Sequence, residues 1–195
     1  MNIEQACYSL SHEKKLVCPW QLAPLLDNFL RPLIHNPRKM FAPYVSQGMT
    51  VLDIGYGAGF TSLGLAKLVG EEGLVIAADI QPKMLSFIEG RAIKAGLYDR
   101  IRIHLCEANR IGVQERVDFA VAFFMVHEVP NKCTLLGEIF KLLKTGGRFF
   151  LTEPKVHVKS SDFKRLVQDA QSIGFKVAEK PRVRFGQTVL LVKSE

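Results

Sequence analysis

The sequence predicts an α/β domain built on an open, doubly wound, mostly parallel sheet, and three observations carry that prediction. Short apolar runs alternate with longer stretches of helical periodicity along most of the chain, the pattern of strand–helix–strand units. Residues 117–126, VDFAVAFFMV, are apolar almost throughout, as a central strand covered on both faces must be. Residues 51–60, VLDIGYGAGF, end an apolar strand in three alternate glycines that open onto a helix. At 195 residues, 48% of them hydrophobic, and with a mean hydropathy of +0.10, the chain has the size of one domain and enough apolar material for a core, which excludes a disordered chain.

The elements follow in order. Residues 1–45 contain Pro19, Pro24, Pro32, Pro37 and Pro43, which interrupt any long helix. Short helical pieces are expected there, either as a lid over the mouth of the glycine loop or as a brace on the sheet edge. Trp20, Phe29 and Phe41 suit both roles. Residues 46–195 then form the main folding unit. The first strand ends near Asp53, and residues 61–70 make a helix closed by Gly70. The second strand, LVIAA at 74–78, ends in Asp79. Residues 82–95 make a helix with Pro82 at its start, Met84, Leu85, Ile88, Ala92 and Ala95 on its apolar face, and Gly96 as its stop. Strands at 101 and 117 follow. Asn131 caps a helix whose apolar face is Leu135, Leu136, Ile139, Phe140 and Leu143, ending before Gly146. A Gly–Gly turn leads into the strand ending at Pro154. Phe163, Leu166, Val167 and Ala170 mark a helix ending before Gly174. Strands FKVAE from Phe175 and TVLLVK from Thr188 come last, with a turn at Gly186. A tight connection between them makes an antiparallel pair.

The glycine loop is the first candidate site. Gly55, Gly57 and Gly59 allow a sharp turn with φ > 0 and a close approach of backbone to ligand. The following helix aims its free N–H groups and positive dipole end at the loop. Asp79 lies about 20 residues further on, where an acid can accept hydrogen bonds from both hydroxyls of a ribose. Its structural alternative is an N-cap just before Pro82. The spacing is G-x-G-x-G rather than the G-x-G-x-x-G of dinucleotide sites, which tells against an NAD-dependent oxidoreductase. Asp53, two residues before the first glycine, suits a cation better than a diphosphate.

VLDIGYGAG resembles the first motif of class I S-adenosylmethionine-dependent methyltransferases, and Asp79 falls where their ribose-binding acid falls. Residues 101–109, IRIHLCEAN, are similar to the family's third strand and the acidic turn that contacts adenine. This places Glu107, with Ala108 beside it, at the adenine position; Asn109 is the rival if the loop shifts the register. VDFAVAFFMV resembles the fourth motif, and LLKTGGRFFLTEP the helix end, turn and fifth strand. The likeness runs in order over roughly residues 45–155 and is closest to the type 11 and ubiquinone/menaquinone-type group. It implies a Rossmann-like, seven-stranded sheet with an antiparallel C-terminal pair. It also implies S-adenosylmethionine as methyl donor, S-adenosylhomocysteine as product, no metal, and a small-molecule acceptor methylated at carbon or oxygen. By the same resemblance Ile80 packs on adenine, and Phe123 or Phe124 passes the methionine end. One of those rings points to each side of the strand, and the cavity-facing one is placed for a cation–π contact. Ordinary core packing is the alternative for Ile80 and for both rings. Tyr56 departs from the small residue or cysteine common in the loop.

Methyl transfer from a sulfonium needs alignment first and a general base only when the acceptor is protonated. His127 and Glu128, at the carboxyl end of the fourth strand, are the candidates for that base. The plainer reading has His127 packing the strand end and Glu128 solvated. H-E-V lacks the H-E-x-x-H spacing of a zinc helix.

Other classes find less support. The net charge of +7 is spread along the chain rather than gathered in a patch. The turn after the fourth strand, F-F-M-V-H-E, lacks the Pro-Pro-aromatic grip that enzymes methylating base amino groups use on a flipped base, and Cys133 lacks the Pro-Cys or Thr-Cys setting of cytosine C5 enzymes. A nucleic-acid partner is not expected. A metalloid acceptor would need thiolates from Cys7, Cys18, Cys106 and Cys133, which are scattered. With no C-x-x-C pair they read as reduced thiols of a cytoplasmic protein. No stretch reaches the roughly 18 uncharged apolar residues of a membrane span, and MNIEQ is no signal peptide. No feature bears on oligomeric state. A binding module that has lost turnover is the non-enzymatic alternative.

Overall fold

The computed structural model describes residues 34–107 and 109–194. Most of the N-terminal lid or brace, with Trp20, Phe29, Cys7 and Cys18, lies outside the described residues, as does Ala108. The elements in chain order are α1 (Pro37–Phe41), β1 (Thr50–Ile54), α2 (Phe60–Val69), β2 (Leu74–Asp79), α3 (Pro82–Lys94), β3 (Ile101–Leu105), β4 (Val117–Phe123), α4 (Lys132–Leu142), β5 (Leu143–Pro154), α5 (Ser160–Ile173), β6 (Phe175–Glu179) and β7 (Gly186–Lys193). Short 3-10 turns sit at Tyr98–Arg100 and Val126–Glu128.

Strand periodicity sets the two faces. In β1, Val51 joins one apolar cluster while Leu52 and Ile54 join the other. Val75 and Ala77 alternate with Ile76 and Ala78 in β2, and Phe119, Val121 and Phe123 with Ala120 and Ala122 in β4. The first face is covered by Phe41 of α1, Leu65 and Val69 of α2, and Ile88 and Ala92 of α3. The second is covered by Leu136 and Ile139 of α4 and by Leu166 and Ala170 of α5. Helices on both faces make the sheet doubly wound, as expected. Gly64 lets α1 reach α2, because a Cβ there would stand 2.4 Å from Pro37 Cβ.

The seven strands run in the order β3-β2-β1-β4-β5-β7-β6. All pairs from β3 through β5 are parallel, while β5–β7 and β6–β7 are antiparallel. Chain order reverses between β1 and β4, which leaves a crevice above their carboxyl ends, where open α/β sheets bind ligands.

Three expectations are corrected and one is refined. The Gly–Gly turn lies inside β5: Val117 pairs with Leu143 and Phe119 with Arg148, so residues 144–147 bulge out of the ladder. Leu143, expected on the apolar face of α4, is its C-cap and the first residue of β5. The expected turn at Gly186 is present, closed by Gly186 N–H on Val183 O at 3.0 Å, but its left-handed residue is Phe185, at φ +62°, and Gly186 already opens β7. Phe123 and Phe124 do not point to opposite sides, because Phe124 has φ +60° and its ring lies 4.4 Å from that of Phe123.

Candidate functional site

The glycine loop is assembled almost wholly by backbone. Gly55 N–H donates to Ala78 O at 2.8 Å, tying the loop to the end of β2, and Gly59 N–H donates to Tyr56 O at 2.9 Å. All three glycines have positive φ, +67°, +55° and +84° in order. They differ in what surrounds them. A Cβ on Gly55 would stand 2.8 Å from Met125 Cγ, and one on Gly59 2.8 Å from Ile88 Cγ1, whereas Gly57 has nothing within 4 Å. Gly57 therefore faces open space in the middle of the cradle. Gly59 is the N-cap of α2, with no side-chain cap, so the positive end of that helix lies at the loop. Arg91 of α3 donates to Ala58 O at 2.7 Å and pins the loop from outside.

Two acids flank the loop, and they behave differently. Asp53 is buried and accepts a hydrogen bond from Ser62 Oγ at 2.5 Å, bracing the start of α2. Asp79 is buried at the end of β2 and accepts the Gln81 N–H at 2.9 Å. Burial raises its carboxyl above the usual range, against the opposing pull of the Gln81, Gly57 and Ile80 N–H groups, and the Glu128 charge raises it further. Gln81, not Asp79, is the N-cap of α3, so the capping alternative for Asp79 is not met. Ile80, next in line, is 43% exposed. That is unusual for a residue following a buried strand and leaves its side chain available to a flat apolar ligand. Tyr56 is buried with a hydroxyl that has no hydrogen-bond partner among the described residues. Burial, then the charges of Asp79 and Asp53, push it far above the usual phenol range.

After β3 the chain makes a small turn in which Glu107 and Arg110 bridge antiparallel. Glu107 and Asn109 are both exposed there, so the turn leaves both acidic-position candidates open to solvent. Cys106, before them, is pushed up to about 12, by burial first and then by the Asp79 and Glu138 charges.

The other half of the crevice sits on β4 and β5. Phe123 is buried, and His35 lies edge-on to Phe123 and Phe124 with ring centroids 5.4 and 5.6 Å away. The positive φ of Phe124 turns the chain off β4, so that the Val126–Glu128 turn folds back over the end of β5. There Glu153, fully buried, accepts the N–H groups of Val126 at 2.9 Å and His127 at 3.1 Å, and its Oε2 meets His127 Nδ1 at 2.6 Å. The expectation that Glu128 is solvated is corrected: its side chain is only 23% exposed, with Oε1 3.9 Å from His127 Nε2. The sequence reading missed Glu153. Its signal was an acid inside the apolar run FFLTEP at the carboxyl end of a buried strand.

Among the described residues no group of three or more His, Cys, Asp or Glu side chains is placed to hold a metal ion, and no helix is long and apolar enough to cross a membrane.

Comparison with known proteins agrees with this geometry. A family profile described as "Methyltransferase domain" matches residues 45–183. A ubiquinone/menaquinone biosynthesis C-methyltransferase of Xylella fastidiosa (strain M12) is 31% identical over 64% of this chain and 51% of its own length. An arsenite methyltransferase of Halobacterium salinarum is 30% identical over 60% of this chain and 30% of its own length. The chain thus spans about half the length, or less, of these curated relatives. Among solved structures, a SAM-dependent methyltransferase from Aquifex aeolicus superposes with a TM-score of 0.82 at 26% identity, covering 90% of this chain and 99% of that one. With the family profile spanning most of the chain and the seven-stranded sheet carrying the glycine cradle at its switch point, this chain belongs to the methyltransferase-domain family of class I, S-adenosylmethionine-dependent architecture.

Proposed function

We propose that the protein transfers a methyl group from S-adenosylmethionine to a small molecule, at carbon or oxygen, by in-line displacement. The observation that carries this reading is the open space at Gly57 beside the buried Asp79. A cradle without side chains, an acid at ribose position and the exposed Ile80 suit an adenosine bearing a cation rather than a diphosphate. The orphaned Tyr56 hydroxyl between two acids fits a polar ligand as well. In this reading Gly55, Gly57 and Gly59 hold the amino-acid end through backbone groups, with Asp53 as negative charge beneath them. Asp79 holds the ribose, Ile80 and Glu107, with Ala108, hold the adenine, and Phe123 lies toward the sulfonium. When bound, the nucleotide supplies an electrophilic methyl carbon, and the chain supplies alignment and exclusion of water.

The two relatives differ in the acceptors their names give, a quinone-pathway carbon and arsenite. Burial pushes the Cys106 thiol up to about 12, which disfavours at that position the thiolate that arsenic requires. Titration calorimetry with S-adenosylhomocysteine, alongside NAD, tests the cofactor. Micromolar binding of the first and none of the second is expected, and the reverse would establish an oxidoreductase. Formation of S-adenosylhomocysteine on adding cell extract separates an enzyme from a binding module, which would bind without turnover.

A further inference from the structure

We propose that His127 and Glu153 form a proton-accepting dyad. Resting on the reading above, this makes the methyl acceptor a weakly acidic hydroxyl or enol, protonated at neutral pH, rather than a thiolate. Glu153 is fully buried at the end of β5 and accepts two backbone N–H groups, one on each oxygen. An ionised Glu153 only accepts, so in the dyad His127 Nδ1 carries the proton across the 2.6 Å contact. Nε2 then holds a lone pair. It makes no hydrogen bond among the described residues, and the nearest carboxylate oxygen, Glu128 Oε1, is 3.9 Å away. The His157 ring packs edge-on at 5.5 Å, so among the described residues Glu153, Glu128 and His157 are titratable groups beside the imidazole.

A brace for the turn needs only the two N–H acceptors; the third contact, to His127 Nδ1, goes beyond it. Fixing the tautomer and stabilising an imidazolium is what a carboxylate on Nδ1 does. The ring sits at the carboxyl end of β4, at the sheet's switch point, and the adjacent Glu128 is close enough to Asp79 to influence its charge. The dyad therefore lies at the same end of the sheet as the glycine cradle.

The step balances. The acceptor's proton passes to Nε2, and the electron pair left on oxygen, or on the conjugated carbon, forms the bond to the methyl carbon. The sulfur–methyl bond breaks with its pair remaining on sulfur, which neutralises the sulfonium. The imidazolium, held by Glu153, then returns its proton to solvent.

The first test needs no acceptor. Nitrogen-15 NMR of the full chain with S-adenosylhomocysteine bound is expected to show His127 protonated at Nδ1 and bare at Nε2, and Glu153→Gln to reverse the tautomer. An Nε2–H tautomer in the wild type overturns the dyad. If S-adenosylhomocysteine fails to bind at all, the cofactor reading fails instead, so the two failures are distinct. The second test offers labelled S-adenosylmethionine with 1,3-dihydroxynaphthalene, benzylamine or 2-mercaptoethanol. Label is expected in the dihydroxynaphthalene. His127→Ala and Glu153→Gln should lower kcat by roughly 10²–10⁴-fold with KM for the methyl donor unchanged. Preferential labelling of the amine or the thiol, or wild-type kcat in either variant, would overturn the proposal.

Discussion

The two halves of the crevice are built by opposite means. Above β1 and β2 the site is main chain: three glycines at positive φ, a helix start without a side-chain cap, and one acid whose neighbours are backbone N–H groups. Above β4 and β5 it is side chain: aromatic rings of His35, Phe123 and Phe124, and a buried carboxylate holding a histidine. The first half suits a ligand that does not change, because backbone geometry tolerates little variation. The second half can be rebuilt residue by residue on the same sheet, which is how one fold serves many acceptors. Construction thus divides along the switch point, a loop on one side and a side-chain network on the other.

The largest expected effect breaks the network. Glu153→Leu leaves two buried N–H groups and a ring nitrogen without their acceptor, and should cost about 3–5 kcal/mol of stability, read from urea unfolding. Stability within 1 kcal/mol or so of wild type would show that the carboxylate is not integral to the turn.

The glycines come next, and they sharpen the contrast within the loop. Gly59→Ala combines left-handed strain with overlap on Ile88, together about 2–4 kcal/mol. Gly57→Ala meets open space, so only the strain of about 1–2 kcal/mol remains. The loss there should fall on S-adenosylhomocysteine affinity instead. Thermal unfolding and calorimetry on the pair would separate the two; equal destabilisation would erase the distinction.

A smaller effect concerns the acid itself. Asp79→Ala should weaken S-adenosylhomocysteine binding by about 1–3 kcal/mol, and an unchanged affinity would remove the ribose assignment.

The smallest effect is one of pH. Burial raises the Asp79 carboxyl above its ordinary 3.8 in the folded chain, so between that value and the raised one the folded state binds more protons than the unfolded. Stability from this group therefore falls as pH rises through that window and is greatest below it. Asp79→Asn should flatten that part of the ligand-free stability profile. A wild-type profile that climbs there no more slowly than that of the variant would contradict the shift.

Much of this was legible before any coordinates. The glycine loop, Asp79 at the end of β2, the Pro82 helix start and the Asn131 cap all appear where their local chemistry placed them. Asn131 Oδ1 indeed accepts the Thr134 N–H at 3.0 Å. The errors fell where local signals compete with the sheet. Gly146 and Gly147 carry a turn signature, yet pairing with β4 draws the chain into the ladder and confines the glycines to a bulge. Alternation placed Phe123 and Phe124 on opposite faces, and an aromatic residue at φ +60° is rare enough that no pattern predicts it. Such strain is held by its surroundings and gathers at functional sites.

The amino-acid sequence alone determined the glycine-loop half. Hydrophobic period and glycine sterics act within a few residues, and each can be read where it stands. Only the tertiary structure decided the half above β4 and β5. His127 and Glu153 lie 26 residues apart, and nothing along the chain couples them. They meet because β4 and β5 pair in parallel with Phe123 opposite Thr152, and because the left-handed Phe124 folds the next turn back over the strand end. A register and one backbone dihedral, both fixed by packing at a distance, turned two ordinary residues into a hydrogen-bonded pair.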